Sequence, residues 1–411
     1  MPTICLNMIV KDESAIIADT LANILQHCPI DYWVIADTGS SDNTAEIIQD
    51  FFNEKGIAGE LLHHPWCNFE HNRQLALDAA LGKSDYVLFF DADDRFVGQP
   101  LHLPALDCDA YNLKMSNDLD ALRCYSRYLL VKNDGQWYWL GVVHEQIVSK
   151  KTDTQIGFLQ GDYFVLSGRT GARNRNPHKY RDDALILAEA YQNYQDNHHN
   201  IKSQTAFFCA QSWRDYGDNA QAIHWYKICL SYSQPYTELK RYLLLWLGKL
   251  YLLQEQPLLA LDHWWQATAQ HPQHAESFMH LAEYYLEHGC PELAFDLCEK
   301  AINMPMPDPA KSFHVDSPVH IFAPAYNLAR SAMALQRHDT AYYAVRQLCY
   351  LGEYHVAMTR FTLGVLALLI EYYQQDTSEH QQVIQRFVKN LKQNDDETIK
   401  LQQHFLNLIA E

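Results

Sequence analysis

The sequence predicts an α/β domain built on a mostly parallel sheet, followed by an all-helical solenoid. Up to about residue 170 short apolar runs alternate with amphipathic stretches, and beyond about residue 180 the helical period stands alone. Three of the early apolar runs end in clusters of acids. Thr3 to Val10, TICLNMIV, reads as a buried strand, Glu13 to His27 as an amphipathic helix, and Tyr32 to Asp37, YWVIAD, as a second strand. SDNTAEIIQDFF reads as a helix with Asp42 or Asn43 as N-cap, HNRQLALDAALG as a helix ended by Gly82, and YVLFF as a core strand. Strands and helices alternating at this rhythm give helices on both faces of the sheet. Ligands of such sheets sit beyond the carboxyl ends of the strands. Those ends carry Lys11, Asp12 and Glu13, then Asp37 to Thr44 (DTGSSDNT), then Asp91, Asp93 and Asp94. Carboxylates crowded there repel one another, so a positive partner is expected among them.

The helical half repeats itself. LWLGKLY (Leu245 to Tyr251), Ala260, Trp264, Ala267 and Pro272 fit the 34-residue tetratricopeptide pattern of small and aromatic positions. The next unit starts at Ala275, 34 residues after Arg241, and sets Ala282, Tyr285, Gly289, Ala294 and Ala301 in the same places. An earlier unit starts near Ser203 and a later one near Phe322. Small residues let the two helices of a unit approach, and large ones fill the space between units. Ile302 to His320 interrupts the array with prolines, and Gln381 to Glu411 reads as a capping helix pair.

At 411 residues two or three domains are expected. Lys plus Arg total 32 against 50 Asp plus Glu, a formal charge of −18, so a nucleic-acid partner is not expected. The ten cysteines stand singly, with no C-x-x-C pair, and read as reduced thiols of a reducing compartment. MPTICLNMIVKDE has no basic n-region or long apolar core, so no signal peptide is expected. YLLLWLG and LGVLALLI are far shorter than the roughly 20 residues of a membrane span. A soluble, cytoplasmic protein is the expectation.

CLNMIVKDES, VIADTGSSDNTAEII, CNFEHNRQLALDAALGKSDYVLFFDADD and GVVHEQI, in that order, resemble the successive blocks of family 2 glycosyltransferases with the GT-A fold. More narrowly, the chain resembles members fused to tetratricopeptide repeats, which share a linking block like KYRDDALILAEAY and a first repeat like FFCAQSWRDYGDNAQAIHWYK. The resemblance runs over roughly residues 3 to 250. With the periodicity it implies a GT-A domain over 1–170, a basic loop and linking helix over 171–200, and repeats over 201–411.

It also implies a nucleoside-diphosphate sugar as donor, with UDP favoured, and Mn²⁺ or Mg²⁺ between its phosphates and the carboxylates. Asp93 is the first choice of metal ligand, and Asp91 holds the ribose or a metal-bound water. Asp37 occupies the position of the family's acid that accepts a hydrogen bond from the base; capping the TGSSD turn is its other reading. The Val10 backbone and Glu13 flank base and ribose, although Glu13 also suits a first-turn acid. Arg73, with Asn72 as helper, neutralises the aspartates or holds a phosphate, or is a surface arginine. Inverting transfer needs one general base. Its candidates are Glu145, favoured because burial would raise its pKa, and Asp94. His144 reads as a nitrogen ligand for the cation, a base, or a packed histidine; on a strand it and Glu145 would face opposite ways. Trp137, Tyr138 and Trp139 read as a sugar-stacking face or as core.

SGRTGARNRNPHKYR, Ser167 to Arg181, holds Arg169, Arg173, Arg175, Lys179 and Arg181 in an acidic chain, and reads as a flap over the diphosphate or as a linker. Arg173 stands for its phosphate contacts. The acceptor is expected to be a protein, peptide or glycan docked partly by the repeats, which also offer a route to a homodimer. The rival reading is a non-catalytic repeat scaffold with an inactive transferase-like domain, which predicts damaged carboxylates; Asp37, Asp91, Asp93 and Glu145 are all present. A nucleotidyltransferase would want a Gly-rich loop after the first strand, and VKDESA has none.

Overall fold

A computed structural model describes residues 2–103, 105–119, 124–168, 171, 173, 176–194, 199–234, 237–307, 313–392 and 395–410. The chain divides into two compact units, Met1–Trp225 and Tyr226–Glu411.

The first unit opens with strand β1 (Ile4–Val10), helix α1 (Ile17–His27), β2 (Tyr32–Asp37), α2 (Thr44–Lys55), β3 (Gly59–His63), α3 (Phe69–Ala80) and β4 (Tyr86–Phe89). Then come seven strands: β5 (Arg95–Gly98), β6 (Ala110–Ser116), β7 (Cys124–Lys132), β8 (Trp137–Leu140), β9 (Gln146–Ser149), β10 (Ile156–Phe158) and β11 (Tyr163–Leu166). The main sheet runs β3-β2-β1-β4-β7-β6-β11-β5, with β10 also paired to β6, while β8 and β9 form a separate antiparallel pair. From β3 to β4 the sheet is parallel; β7 enters antiparallel to both β4 and β6, and β5 antiparallel to β11.

Alternation along β1 builds two cores. Ile4, Leu6, Met8 and Val10 join Ile17, Leu21 and Ile24 of α1 and Ile48 and Phe52 of α2 on one face. Cys5 lies with Val34, Val87 and Phe89 against Leu77 and Ala80 of α3 and Trp137, Trp139 and Ile147 of the β8–β9 pair. Helices thus cover both faces, as expected, but a strand pair shares the second with α3. The N-cap of α3 is Asn68, whose side chain accepts from His71 N (2.8 Å). Trp137 and Trp139 are 4 % exposed and serve as core, not as a stacking face.

The unit continues with α4 (Lys179–Asn193), which packs against α5 (His199–Tyr216); α6 (Asn219–Tyr232) carries the chain across the division. The repeat array was expected from residue 201, yet the α4–α5 pair groups with the sheet.

In the second unit follow α7 (Glu238–Leu253), α8 (Pro257–Gln270), α9 (Ala275–Glu287), α10 (Pro291–Ala301), α11 (Ser317–Ala334), α12 (His338–Leu351), α13 (Val356–Leu368), α14 (Ile370–Gln375), α15 (Ser378–Lys389) and α16 (Asp396–Leu408). Neighbouring helices pack in succession, α7 on α8, α9 on α10, α11 on α12. The positions picked out by the repeat, Ala260, Trp264, Ala267, Ala282, Ala294 and Ala301, are buried. Gly248 shows why small residues recur there: any Cβ would collide with the ring of Trp264, which itself donates Nε1 to Leu245 O (3.2 Å). The α11 helix begins at Ser317, earlier than the repeat unit expected near Phe322, and runs through Pro324. Cys5, Cys28, Cys67, Cys108, Cys209, Cys229, Cys290, Cys298 and Cys349 are free thiols, and no helix among the described residues is long and apolar enough to cross a membrane.

Candidate active site

The loops after β1 and β2 are stitched to each other. Val10 O accepts from Thr38 N (2.9 Å) and Oγ1 (3.0 Å). Asp12, in the left-handed region (φ 53°), accepts from Ser41 N (2.6 Å) and donates its own N–H to Ser40 Oγ (3.0 Å). Glu13 N donates to Thr44 Oγ1 (2.8 Å). Asp37 is buried, and its Oδ1 accepts from Gly39 N (2.8 Å) and Ser40 N (2.7 Å), so this oxygen caps the turn. Asp42 accepts from Ser14 N (3.2 Å) and Thr44 N (3.0 Å); burial opposes its charge, but these bonds win and hold its pKa down at about 2.

Beyond β4 lies the positive partner that the acids demand. Arg73, on α3 and 7 % exposed at its side chain, binds Asp91 through Nη2 and Glu145 Oε1 through Nε (2.7 Å), with its guanidinium 5.0 Å from the Trp139 ring. It is a buried bridge rather than a surface arginine. A second cation, Arg127 of β7, sits 3.9 Å from Asp91. Burial works against the Asp91 charge, yet Arg73 and Arg127 outweigh it and keep the carboxyl below its ordinary range. Asn72, fully buried, spends its amide on Cys67 N (2.9 Å) and Pro65 O (3.1 Å), holding the segment before α3.

A strap covers the other two aspartates. Antiparallel pairing of β11 with β5 ends at Leu166 opposite Arg95, so the next residues pass directly over the turn after β4. Gly168 N donates to Asp94 Oδ1 (3.0 Å) and Gly171 N to Asp93 Oδ2 (3.0 Å). A side chain on Gly168 would overlap the Asp93 carbonyl, so only glycine lets the strands of backbone meet this closely. A Cβ on Gly171 would lie 3.0 Å from Asp93 Oδ2 and 3.1 Å from Glu13 Oε1; these two carboxylates therefore line the same small space. Asp94 is 4 % exposed, and burial, then the nearby Asp91 and Asp93, push its pKa up to about 8.

Of the basic loop, Arg173 pairs with Asp183 of α4, lies over Phe69 (4.5 Å) and acts electrostatically on Glu145. Arg181 pairs with its neighbour Asp182 (3.1 Å), and Arg169 and Arg175 lie outside the described residues. His144 and Glu145 occupy the turn between β8 and β9, not a strand. His144 takes a left-handed backbone (φ 57°) and stacks on Phe208 (4.3 Å), while Glu145 turns to Arg73. The two do diverge, but through the turn rather than through strand alternation.

Arg73 thus unites Asp91 with Glu145, and the strap unites Asp93, Asp94 and Glu13; Asn72, Arg173 and His144 are engaged elsewhere. Arg127, Gly168 and Gly171 were missed by the sequence reading. The one signal for Arg127 is register: Leu88 pairs with Leu130, and three further steps bring residue 127 opposite residue 91. The donor set fits a hard cation, because Asp91, Asp93 and Glu13 offer only carboxylate oxygens.

A mostly parallel sheet with flanking helices and acids at its strand ends is the architecture expected of the family that the motifs resemble. Residues 5–101, less than half of the chain, match the model of glycosyl transferase family 2. The first unit thus carries a family 2 glycosyltransferase domain, and the chain is a glycosyltransferase by class. Among solved structures, residues 1–349 of S. aureus TarS in complex with UDP-GlcNAc show 14% identity, covering 66% of this chain and 93% of that one, at a TM-score of 0.39. The C-terminal part of a TPR repeat-containing protein from Cytophaga hutchinsonii shows 12% identity over 55% of this chain and 74% of that one (TM-score 0.37). Pseudomonas aeruginosa pilF shows 15% over 52% and 89% (TM-score 0.36). Likenesses this loose bear on neither ligand nor acceptor. No curated protein matches the chain.

Proposed function

We propose that the chain is an inverting glycosyltransferase that takes a nucleoside-diphosphate sugar, UDP favoured, and passes the sugar to a protein, peptide or glycan acceptor docked partly by the helical repeats. The observation that carries this reading is the carboxylate cluster of a family 2 domain, met by the N–H groups of Gly168 and Gly171. Asp93, with Asp91 beside it, would hold Mg²⁺ or Mn²⁺, which when bound supplies charge neutralisation for the departing diphosphate. His144, stacked on Phe208, would have to leave that ring to add a nitrogen ligand. Asp37 and Glu13, with the Val10 backbone, flank the nucleoside. The acceptor's heteroatom attacks the anomeric carbon as the bond to the diphosphate oxygen breaks on the opposite face, and its proton passes to Glu145.

Between the two base candidates, Glu145 is the better placed. Arg73 holds it oriented, whereas Asp94, with a pKa pushed up to about 8 by burial and its acidic neighbours, carries a proton at neutral pH and is occupied by Gly168. Calorimetric titration with UDP, GDP and their sugars in Mn²⁺ tests the reading: binding of a diphosphate nucleotide, weakened by chelation and lost in Asp93→Ala, is expected. No heat with any of them would leave the inactive-scaffold alternative. Glu145→Gln should retain donor binding and lose transfer.

A further inference from the structure

The second unit holds a cluster with a different chemistry. One ligand atom each of Glu238, His271 and His274 lies within 4.8 Å of the others. Glu238 Oε1 stands 3.3 Å from His271 Nδ1 and 3.0 Å from His274 Nε2. A tetrahedral site with metal–ligand bonds of about 2.0–2.1 Å has edges of about 3.3–3.4 Å, so both separations are close to that size. The histidines are 4 % and 3 % exposed at their side chains.

The surroundings prepare these atoms. Glu238 is the first residue of α7, and its other oxygen, Oε2, accepts from Arg241 Nε (3.1 Å) and Phe313 N (3.4 Å), which aims Oε1 at the two rings. The wholly buried Arg241 also binds Glu276. One guanidinium against two carboxylates leaves the cluster one negative charge when the imidazoles are neutral, the form that burial favours. Contacts to Glu238 leave each ring half satisfied. Each ring spends one nitrogen on Glu238, while His271 Nε2 and His274 Nδ1 are buried with no hydrogen-bond partner among the described residues, a cost of about 1–3 kcal/mol per group in general. In a metal-bound form these outer nitrogens carry the N–H, and the inner pair, both facing Glu238 Oε1, is left to coordinate.

We propose that Glu238, His271 and His274 form a divalent transition-metal site, with zinc the ion that best suits two imidazoles and one carboxylate and with water in the fourth position. It is separate in chemistry from the oxygen-only cluster of the first unit, and it ties the start of α7 to the turn between α8 and α9.

The test uses the full chain, stripped with a chelator, desalted and titrated with Co²⁺ and then Zn²⁺. A single equivalent of Co²⁺ should give the intense visible bands of a low-coordinate N/O site with no near-ultraviolet thiolate band. Zn²⁺ should erase the bands and raise the Tm, and Mg²⁺ should do neither. Asp93→Ala should leave the signal intact, while His271→Gln with His274→Gln should weaken metal binding by at least about 100-fold. Absence of the bands in wild type, their persistence in the double variant, or a thiolate band would each overturn the proposal. Should the double variant fail to fold by circular dichroism, Zn²⁺ protection of His271 and His274 against carbethoxylation in wild type, mapped by peptide mass, decides; unprotected histidines refute it.

Discussion

Arg73→Met would leave Glu145 buried without the cation that hydrogen-bonds it, Arg173 acting on it only through space. The Glu145 side chain is 9 % exposed, and removing one partner of a buried pair costs about 3–5 kcal/mol because the remaining charge is uncompensated. Asp91 adds less: its side chain is 35 % exposed, and Arg127 remains 3.9 Å away to compensate it. Methionine keeps apolar contact with Trp139, which favours the lower figure, about 3 kcal/mol. For a body the size of Met1–Trp225, at about 2–4 °C per kcal/mol, the expected drop in Tm is about 6–12 °C. Scanning calorimetry of the full-length chain measures it. Adding Glu145→Gln removes the stranded charge, and the double variant should regain about 2 kcal/mol over Arg73→Met. A single variant that loses less than about 1 kcal/mol, or a double variant no more stable than the single, would refute the buried-bridge argument.

Gly168→Ala forces the strap off the Asp93 carbonyl, and initial-rate assays should show transfer down by about 100-fold with the fold intact by circular dichroism; an unchanged rate would detach the strap from function. Gly248→Ala should cost about 1–3 kcal/mol in urea unfolding because the Trp264 ring must shift; a neutral result would mean that α7 and α8 separate freely. Burial opposes the charge of Asp376, but His380, the Thr377 N–H, Tyr342 and Arg346 hold its folded pKa at about 2, below an unfolded value of about 3.9. Its contribution is therefore complete above pH of about 4 and disappears as pH falls through about 2, so the stability gap to Asp376→Asn should narrow over that window in urea titrations; a constant gap contradicts the assignment.

What the sequence made legible was local. Tyr32 to Asp37 needed only its apolar run, and Ala260, Trp264 and Ala267 needed only a 34-residue spacing, because helix pairs pack on their neighbours in sequence. The acids at the ends of β1, β2 and β4 were visible for the same reason. The antiparallel half of the sheet was not: β7 meets β4, and β11 meets β5, only through pairings tens of residues apart, which leave no periodic mark. Arg127, Gly168 and Gly171 follow from those pairings. For the basic loop, charge composition favours no particular partner, and the pairing of Arg173 with Asp183 left no mark in the sequence.

Strand order also bears on how the enzyme can be shortened. The stretch matching the family ends at residue 101, soon after β5, yet β5 occupies the outer edge of the sheet and touches it only through β11, some sixty residues later. A fragment cut at that point would expose the flank of β4 where β7 belongs, lose one of the two arginines that balance Asp91, and leave β5 with no strand to pair with. The smallest self-sufficient catalytic piece must therefore extend at least through the strap, and dissection of this protein should begin downstream of α4.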